Sequence, residues 1–231
     1  MEGLPDSLIN IPVETIDRAV DWLEKHPRVD KNAIGIWGAS KGAEFALLAS
    51  SHNPRIKAVV AKSPSAVVFE GISWDYESEY IPQSSWSLKG EPLPFVPIPS
   101  TPELDESFNA ALAKGEPWPT ALLYEEAMKN DEAMEKAAIP VERINGPVLL
   151  ISGGLDGAWP SGKMAGMIMD RLKANKHPFA DQSLHYEQAG HSITTPYSST
   201  TVNWLALPGF VELLGGSSEG NAAASMDSWP K

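Results

Sequence analysis

Apolar residues recur along the chain at two spacings, and these two spacings alternate. Three stretches show the helical spacing of one buried face: 13–25, 40–51 and 161–174. Four short runs are typical of strands: 33–37, 56–61, 147–153 and the polar-alternating 183–187. Alternating strands and helices favour an α/β fold built on a mostly parallel sheet that is flanked by helices.

The segment 63–139 interrupts this alternation. Prolines are dense in EPLPFVPIPSTP, and 120–138 has a helical pattern. Aromatic residues are scattered through it, among them Trp74, Tyr76, Trp86, Phe95 and Trp118. Such an insertion is typical of a lid over a site, and a long surface loop that packs on itself is the other interpretation. We expect a single domain over 1–231 with a lid-like insertion at 63–139, and a flexible, low-complexity tail in GGSSEGNAAAS.

Composition and charge narrow the class of protein. The 231 residues are 42% hydrophobic and 21% charged, as in one soluble globular domain. There is no cysteine, which excludes disulfides, thiolate metal sites and a cysteine nucleophile. The net charge of −12 argues against binding to nucleic acid or anionic membranes, and it works mildly against a polyanionic substrate. No membrane-spanning run, signal peptide, metal motif or cofactor motif is found, so we expect a cytoplasmic protein.

A serine lies at the turn between the first of these strands and the helix that follows it. The sequence GASKG, residues 38–42, has the spacing G-x-S-x-G, which exposes the Ser40 hydroxyl on a sharp strand-to-helix turn. We expect glycine at both Gly38 and Gly42 because a Cβ would clash where strand and helix approach. The N–H of Lys41 is then placed to hold an oxyanion at the positive end of the helix. The other interpretation is a glycine-rich turn that packs the helix onto the sheet.

An acid and a base follow Ser40 in the chain order that a serine nucleophile requires in such a fold. Asp156 comes just after one predicted strand, and His191 comes just after the next. Because the carboxyl ends of parallel strands meet at one edge of the sheet, we predict that the three side chains lie together. Singly, Asp156 fits a turn and His191 a surface loop. Their order at three strand ends favours a catalytic triad.

Three motifs together carry a family resemblance. GASKGAEFALLAS resembles the nucleophile region of the acyl-CoA thioester hydrolases and bile acid-CoA:amino acid N-acyltransferases, PVLLISGGLDGAWPS resembles their acid loop, and AGHSITTPY resembles their histidine loop. The resemblance implies an α/β-hydrolase fold with Ser40 as nucleophile, His191 as base and Asp156 as the acid that orients it. It also implies water as the acyl acceptor, since the amino-acid conjugating members carry cysteine in place of this serine.

The chain departs from that family at its ends. Members usually carry an N-terminal β-sandwich domain and early hydrolase strands, whose loop supplies a second oxyanion N–H, and they continue into a last helix. We therefore expect a sheet of about four strands with the early strands missing, either in a fragment or in a reduced protein that forms a homo-oligomer through the open edge. Loss of one oxyanion donor lowers the rate of serine hydrolases about 10²–10³-fold.

The residues and the resemblance favour a serine hydrolase that cleaves small-molecule thioesters or esters through an acyl-serine intermediate. Trp159, beside the acid loop, and the aromatic residues of the insertion are candidate substrate contacts, with core packing as the other explanation. Two alternatives stay open. One is a carboxylesterase for small uncharged esters, and the other is a non-catalytic oligomerising fragment with a vestigial triad.

Overall fold

A computed structural model describes residues 7–73, 81–193, 199, 201–207 and 209–228. Its strands are β1 (Ile11–Pro12), β2 (Gly35–Ala39), β3 (Ala58–Lys62), β4 (Trp86–Leu88), β5 (Glu91–Pro92), β6 (Val148–Gly153), β7 (Gln182–Tyr186), β8 (Trp204–Leu207) and β9 (Phe210–Leu213). Its helices are α1 (Thr15–Lys25), α2 (Lys41–His52), α3 (Pro102–Lys114), α4 (Ala121–Ala127), α5 (Asp131–Lys136), α6 (Ser161–Ala174) and α7 (Ser218–Asp227). A 3₁₀ turn covers Val141–Arg143.

The central element is a four-stranded, fully parallel sheet in the order β2–β3–β6–β7. The connection after each of the first three strands returns the chain to the end of the sheet where that strand began. All four strands therefore run in the same direction, and their carboxyl ends lie at one end of the sheet. The predicted α/β class, with its parallel sheet flanked by helices, is confirmed. The predicted strands and helices of this part of the chain begin and end within about two residues of the observed ones.

The two faces of this sheet are covered by different helices. On one face Leu47 of α2 and Ile168 of α6 belong to the same core cluster as Ala61 of β3. On the other face Ile151 of β6 packs with Ala224 of α7. Alternate residues of a strand point to opposite faces, which explains why the apolar runs in β3 and β6 are almost continuous.

The insertion contains more regular structure than its proline content suggests. Strand β4 pairs with β1 in parallel and with β5 in antiparallel, which makes a small second sheet. The helix predicted over 120–138 is two helices, α4 and α5, because the Asn130 side chain caps α5 by accepting from the N–H of Ala133. Phe69 and Trp86 are buried in the main core, whereas Trp74 and Tyr76 lie outside the described residues.

The prediction of a flexible tail is wrong, because residues 218–227 form helix α7. The Ser217 hydroxyl caps this helix by accepting from the N–H of Gly220. Small side chains let α7 lie close to the loop after β7, and Asn221 is fully buried there. Gly, Ser and Ala in a polar stretch look like a linker, but here they permit close helix packing.

Strand β2 is at one edge of the central sheet. Among the described residues no strand pairs with its outer side, and Trp37 on this strand is 59% exposed. This agrees with the expectation of a four-stranded sheet with an open edge, and it leaves untested what pairs there.

Candidate active site

Ser40 occupies the turn between β2 and α2 in a strained conformation. Its φ of 55° and ψ of −127° lie in a region that serine rarely adopts. The N–H of Ser40 donates to the carbonyl of Lys62 at 2.9 Å, and its carbonyl accepts from the N–H groups of Ala43 and Glu44. Its hydroxyl has no hydrogen-bond partner among the described residues and is partly exposed. Backbone hydrogen bonds therefore fix the position of this residue from both sides of the turn.

Only one of the two glycines around Ser40 is required by lack of space. A Cβ on Gly38 would lie 2.0 Å from the carbonyl oxygen of Gly42, which no packing tolerates. A Cβ on Gly42 would meet no atom within 4 Å, because it would point away from the strand. The expectation that both glycines avoid a clash is therefore wrong for Gly42, whose backbone is what Gly38 approaches.

His191 and Asp156 form a buried pair at the ends of β7 and β6. The His191 Nδ1 lies 2.9 Å from Oδ1 and 3.0 Å from Oδ2 of the Asp156 carboxylate. The aspartate side chain is 2% exposed and the histidine side chain is 14% exposed. With Nδ1–H donating to the carboxylate, the Nε2 atom is left as an acceptor, and it has no partner among the described residues. This is the tautomer that a general base needs.

The Asp156 carboxylate is itself oriented by its own loop. Oδ1 accepts from the backbone N–H groups of Ala158 at 3.0 Å and Trp159 at 3.2 Å. Oδ2 accepts a short hydrogen bond from the hydroxyl of Ser161, the first residue of α6. With His191, these donors occupy both oxygens and fix the plane of the carboxylate.

The end of β3 connects the nucleophile turn to the histidine loop. The backbone carbonyl of Lys62 accepts from the N–H of Ser40, and the ammonium group of the same lysine donates to the carbonyl of Ile193. The neighbouring Ser63 hydroxyl donates to the carbonyl of His191 at 3.0 Å. Burial lowers the pKa of Lys62. These bonds bring the loop that carries the histidine to the strand end beside Ser40.

Trp159 lies behind the histidine. It is 2% exposed, its indole N–H donates to the Ser63 carbonyl at 3.1 Å, and its ring meets the His191 ring edge-on at 6.0 Å between centroids. In this conformation Trp159 packs against the imidazole, and almost none of its surface is open to a ligand.

Close backbone contacts with Leu214 and Gly215 also hold the loop that carries His191. The His191 N–H donates to the Leu214 carbonyl, and a Cβ on Gly190 would lie 2.2 Å from the Gly215 carbonyl oxygen. The Gly190 N–H donates to the buried Asn221 side chain at 2.8 Å. Only glycine at position 190 allows the loop to approach so closely.

Sequence reasoning missed several of these supporting groups. Ser161 had a usable signal, since a hydroxyl at a helix start close to Asp156 is a natural partner for a carboxylate. Asn221 had none, because nothing in the tail indicates that it reaches Gly190. In the histidine motif, Pro196 and Tyr197 lie outside the described residues.

Lys41, the predicted oxyanion donor, is the first residue of α2. The Lys41 N–H has no acceptor among the described residues, and it belongs to the first helical residue after Ser40. Free N–H groups at a helix start attract negative charge. The Lys41 side chain, by contrast, is turned inward and buried.

A strained strand-to-helix turn on a parallel sheet, with an acid and a histidine at two later strand ends, is the arrangement of the α/β-hydrolase class. Sequence comparison defines the group within that class. The chain belongs to the family described as BAAT / Acyl-CoA thioester hydrolase C terminal, whose profile matches residues 11–231.

Two relatives and one solved structure illustrate the similarity. The mouse (Mus musculus) protein named acyl-coenzyme A thioesterase 2, mitochondrial, is 30% identical over 229 residues, which are 99% of this chain and 45% of that protein. Mouse acyl-coenzyme A amino acid N-acyltransferase 2 is 26% identical over 231 residues, 99% of this chain and 49% of that protein. The Pyrococcus horikoshii acylaminoacyl peptidase structure aligns with a TM-score of 0.46 and 13% identity, over 78% of this chain and 23% of that one.

The chain spans about half the length of the curated relatives it matches. None of the helices in the described part of the chain is long and apolar enough to cross a membrane. The cytoplasmic location stays a prediction.

Proposed function

We propose that this chain is a serine hydrolase that cleaves carboxylic thioesters or esters through an acyl-serine intermediate. The observation that carries the proposal is the His191–Asp156 pair at the same sheet edge as the strained Ser40, with neither His191 Nε2 nor the Ser40 hydroxyl bound by another described residue. Strain of this kind persists only where the surrounding structure holds it, and it concentrates at functional sites.

In the proposed mechanism the Ser40 hydroxyl attacks the acyl carbonyl while His191 Nε2 takes its proton. Asp156 holds the imidazole in the required tautomer and stabilises the imidazolium that forms. The Lys41 N–H donates to the oxyanion of the tetrahedral intermediate. His191 then returns the proton to the leaving thiol or alcohol, and in the second half it activates a water that releases the acid.

The family favours an acyl-CoA thioester as the substrate, since relatives are named for that activity. A serine at position 40 favours transfer to water, in keeping with the thioesterases of the family. The net charge of −12 works the other way, because coenzyme A is itself an anion. A carboxylesterase for small uncharged esters is therefore the second candidate.

The insertion is proposed to cover the site as a lid. Phe69 of this segment contacts the Tyr124 ring at 4.9 Å between centroids, Tyr124 contacts Trp159 at 5.5 Å, and Trp159 contacts His191. These edge-on contacts form a continuous aromatic path from the insertion to the catalytic base. We further propose that the open edge of β2 supports homo-oligomer formation.

The test is labelling by a fluorophosphonate probe, with mass spectrometry to locate the adduct. The parent and Ser100→Ala, which alters an exposed serine of the insertion, are expected to carry one adduct on Ser40. Ser40→Ala is expected to carry none. Labelling that persists in Ser40→Ala would refute the assignment of the nucleophile, and an unlabelled parent would favour the vestigial scaffold.

Initial rates then separate the two candidate substrates. A short p-nitrophenyl ester and an acyl-CoA are supplied to the parent and to Ser40→Ala. Turnover of the acyl-CoA with the higher kcat/KM supports the thioesterase, and turnover of the ester alone supports the carboxylesterase.

A further inference from the structure

Two charged residues of α2 are buried directly behind the nucleophile, and the proposed mechanism uses neither side chain. Lys41 follows Ser40, and Glu44 lies one turn later with no exposed surface. The Lys41 ammonium group donates to both carboxylate oxygens of Glu44, at 3.0 and 3.1 Å. This ion pair is within the first turn of the helix that presents the serine.

The pair also connects the helix to the insertion. Lys41 donates to the Ser85 hydroxyl at 2.6 Å, and Ser85 donates to the carbonyl of Phe69 at 2.8 Å. Glu44 accepts from the indole N–H of Trp86 at 2.7 Å and from the backbone N–H of Phe69 at 3.3 Å. Both backbone polar groups of Phe69 are therefore bound into a network that begins at the residue after the nucleophile.

Stability alone does not explain such a pair. Burial lowers the pKa of Lys41 and raises the pKa of Glu44, and their mutual attraction opposes both changes. Apolar residues of similar volume often replace a buried ion pair with no loss of stability, whereas removal of one partner is strongly destabilising. A fixed pair provides a defined orientation of residue 41, since the side chain of Lys41 cannot turn without breaking its hydrogen bonds.

The orientation of the peptide groups on both sides of Ser40 is important for the site. The strained φ of Ser40 requires that neighbouring groups hold the peptide on both sides. On one side the Ser40 N–H is bound to Lys62 of β3. On the other side is the Ser40–Lys41 peptide bond, whose N–H is the proposed oxyanion donor. The Lys41 side chain next to it donates hydrogen bonds to Glu44 and Ser85.

We propose that Lys41 and Glu44 are positioning residues, which fix the orientation of the Ser40–Lys41 peptide and couple it to the insertion. The expected effect on kcat rests on the proposed function. The expected effect on the structure of the turn does not depend on that function. The insertion reaches both halves of the site, since the Phe69 backbone binds the ion pair and the Phe69 ring lies 6.3 Å from Trp159, which backs His191.

The experiment compares the parent with Lys41→Met, Glu44→Gln and the double variant Lys41→Met/Glu44→Gln. Each single variant leaves a buried partner unpaired and is expected to lose stability. The double variant removes both charges of the pair, and the amide oxygen of the introduced glutamine still accepts from Trp86 and Phe69, so its unfolding midpoint is expected near that of the parent. The exposed pair Lys136–Glu132 supplies the control, Lys136→Met/Glu132→Gln.

Amide hydrogen exchange and steady-state kinetics are measured on all variants. In the double variant the amides of Ser40, Ala43 and residue 44, which form the hydrogen bonds of the turn, are expected to exchange about tenfold faster than in the parent, while β6 is unchanged. Its kcat on the ester is expected to fall roughly 10- to 100-fold with little change in KM, the size of effect that a displaced catalytic group produces. A purely structural pair predicts the opposite: once the double variant is as stable as the parent, kcat and exchange return to parent values, and that result overturns the proposal.

The two proposals fail separately. If the parent neither turns over substrate nor reacts with the fluorophosphonate, the proposed function fails, while exchange at the turn still decides the positioning role. If the double variant does not fold, Lys41→Met alone gives the test, since it removes the contacts of the Lys41 ammonium group with Glu44, Ser85 and the Phe69 carbonyl. Exchange at Ser40 in Lys41→Met that is no faster, relative to β6, than in the parent would then overturn the proposal.

Discussion

Replacement of Asp156 by asparagine is the most direct test of how the site works, because the two side chains have the same shape. Oδ1 of the aspartate accepts from two backbone N–H groups, so the amide oxygen of the introduced asparagine is expected to take that position. The NH₂ group then lies at the Oδ2 position, 3.0 Å from His191 Nδ1 in the parent, and the Ser161 hydroxyl turns to accept from it.

This exchange reverses the tautomer of the histidine. A proton on Nδ1 could still donate to the amide oxygen 2.9 Å away, but it would also face a hydrogen of the NH₂ group. We therefore expect the NH₂ group to donate to Nδ1, which leaves the proton on Nε2, where it blocks transfer from Ser40. The same change in another serine hydrolase lowers kcat about 10⁴-fold with its geometry intact. That corresponds to about 5 kcal/mol of transition-state stabilisation, at roughly 1.4 kcal/mol for each factor of ten.

The assay is kcat/KM on a p-nitrophenyl ester, with the second-order rate of fluorophosphonate labelling as a second readout. Asp170→Asn, which changes an exposed carboxylate on α6, serves as the matched control and is expected to behave as the parent. If Asp156→Asn folds with the parent's unfolding midpoint and keeps more than a tenth of its activity, Asp156 does not set the tautomer and the reasoning fails.

Three further predictions concern stability and titration. Gly38→Ala is expected to lower the unfolding midpoint strongly, since its Cβ would lie 2.0 Å from a backbone oxygen, whereas Gly42→Ala is expected to remain folded like the parent; thermal unfolding of the two variants checks this. Asn221→Ala leaves a buried N–H of the histidine loop without a partner, and denaturant titration is expected to show a loss of about 1–3 kcal/mol together with lower kcat. Burial and the hydrogen bond to Asp227 raise the pKa of Tyr186 to about 12. Folding therefore favours the protonated phenol, and the stability gained from it is complete below pH 10 and is lost as the pH rises to about 12. Ultraviolet titration of the parent against Tyr186→Phe is expected to show the loss of one late-titrating tyrosine, and an unchanged titration curve would contradict the assignment.

The pattern of apolar residues was sufficient for the central sheet and its helices. Strand β6 is buried on both faces and β3 is buried on one face and partly covered on the other, so their nearly continuous apolar runs could be recognised without knowledge of their neighbours. The positions of Ser40, Asp156 and His191 followed from the same alternation, since each comes just after a strand whose end lies at one edge of the sheet. Local chemistry and strand order were enough for these residues.

The same approach failed where distant segments decide the structure. Residues 218–227 read as a linker, but contact with the loop after β7 makes them a helix. The helix at 120–138 looked continuous, but Asn130 caps a new helix in its middle. Composition alone does not show whether small or polar side chains will face solvent or another backbone.

The amino-acid order thus determined the fold class, the strand-to-helix turn and the identity of its candidate catalytic groups, because each depends on residues that are close in the chain. The tertiary structure alone decided which groups hold those residues in place. Ser63 and Asn221 bind the histidine loop, and Lys41 and Glu44 bind Ser85 and Phe69 of the insertion, across contacts between segments that lie far apart in sequence. A buried hydrogen bond of this kind depends on the meeting of two elements, and neither element reveals it separately.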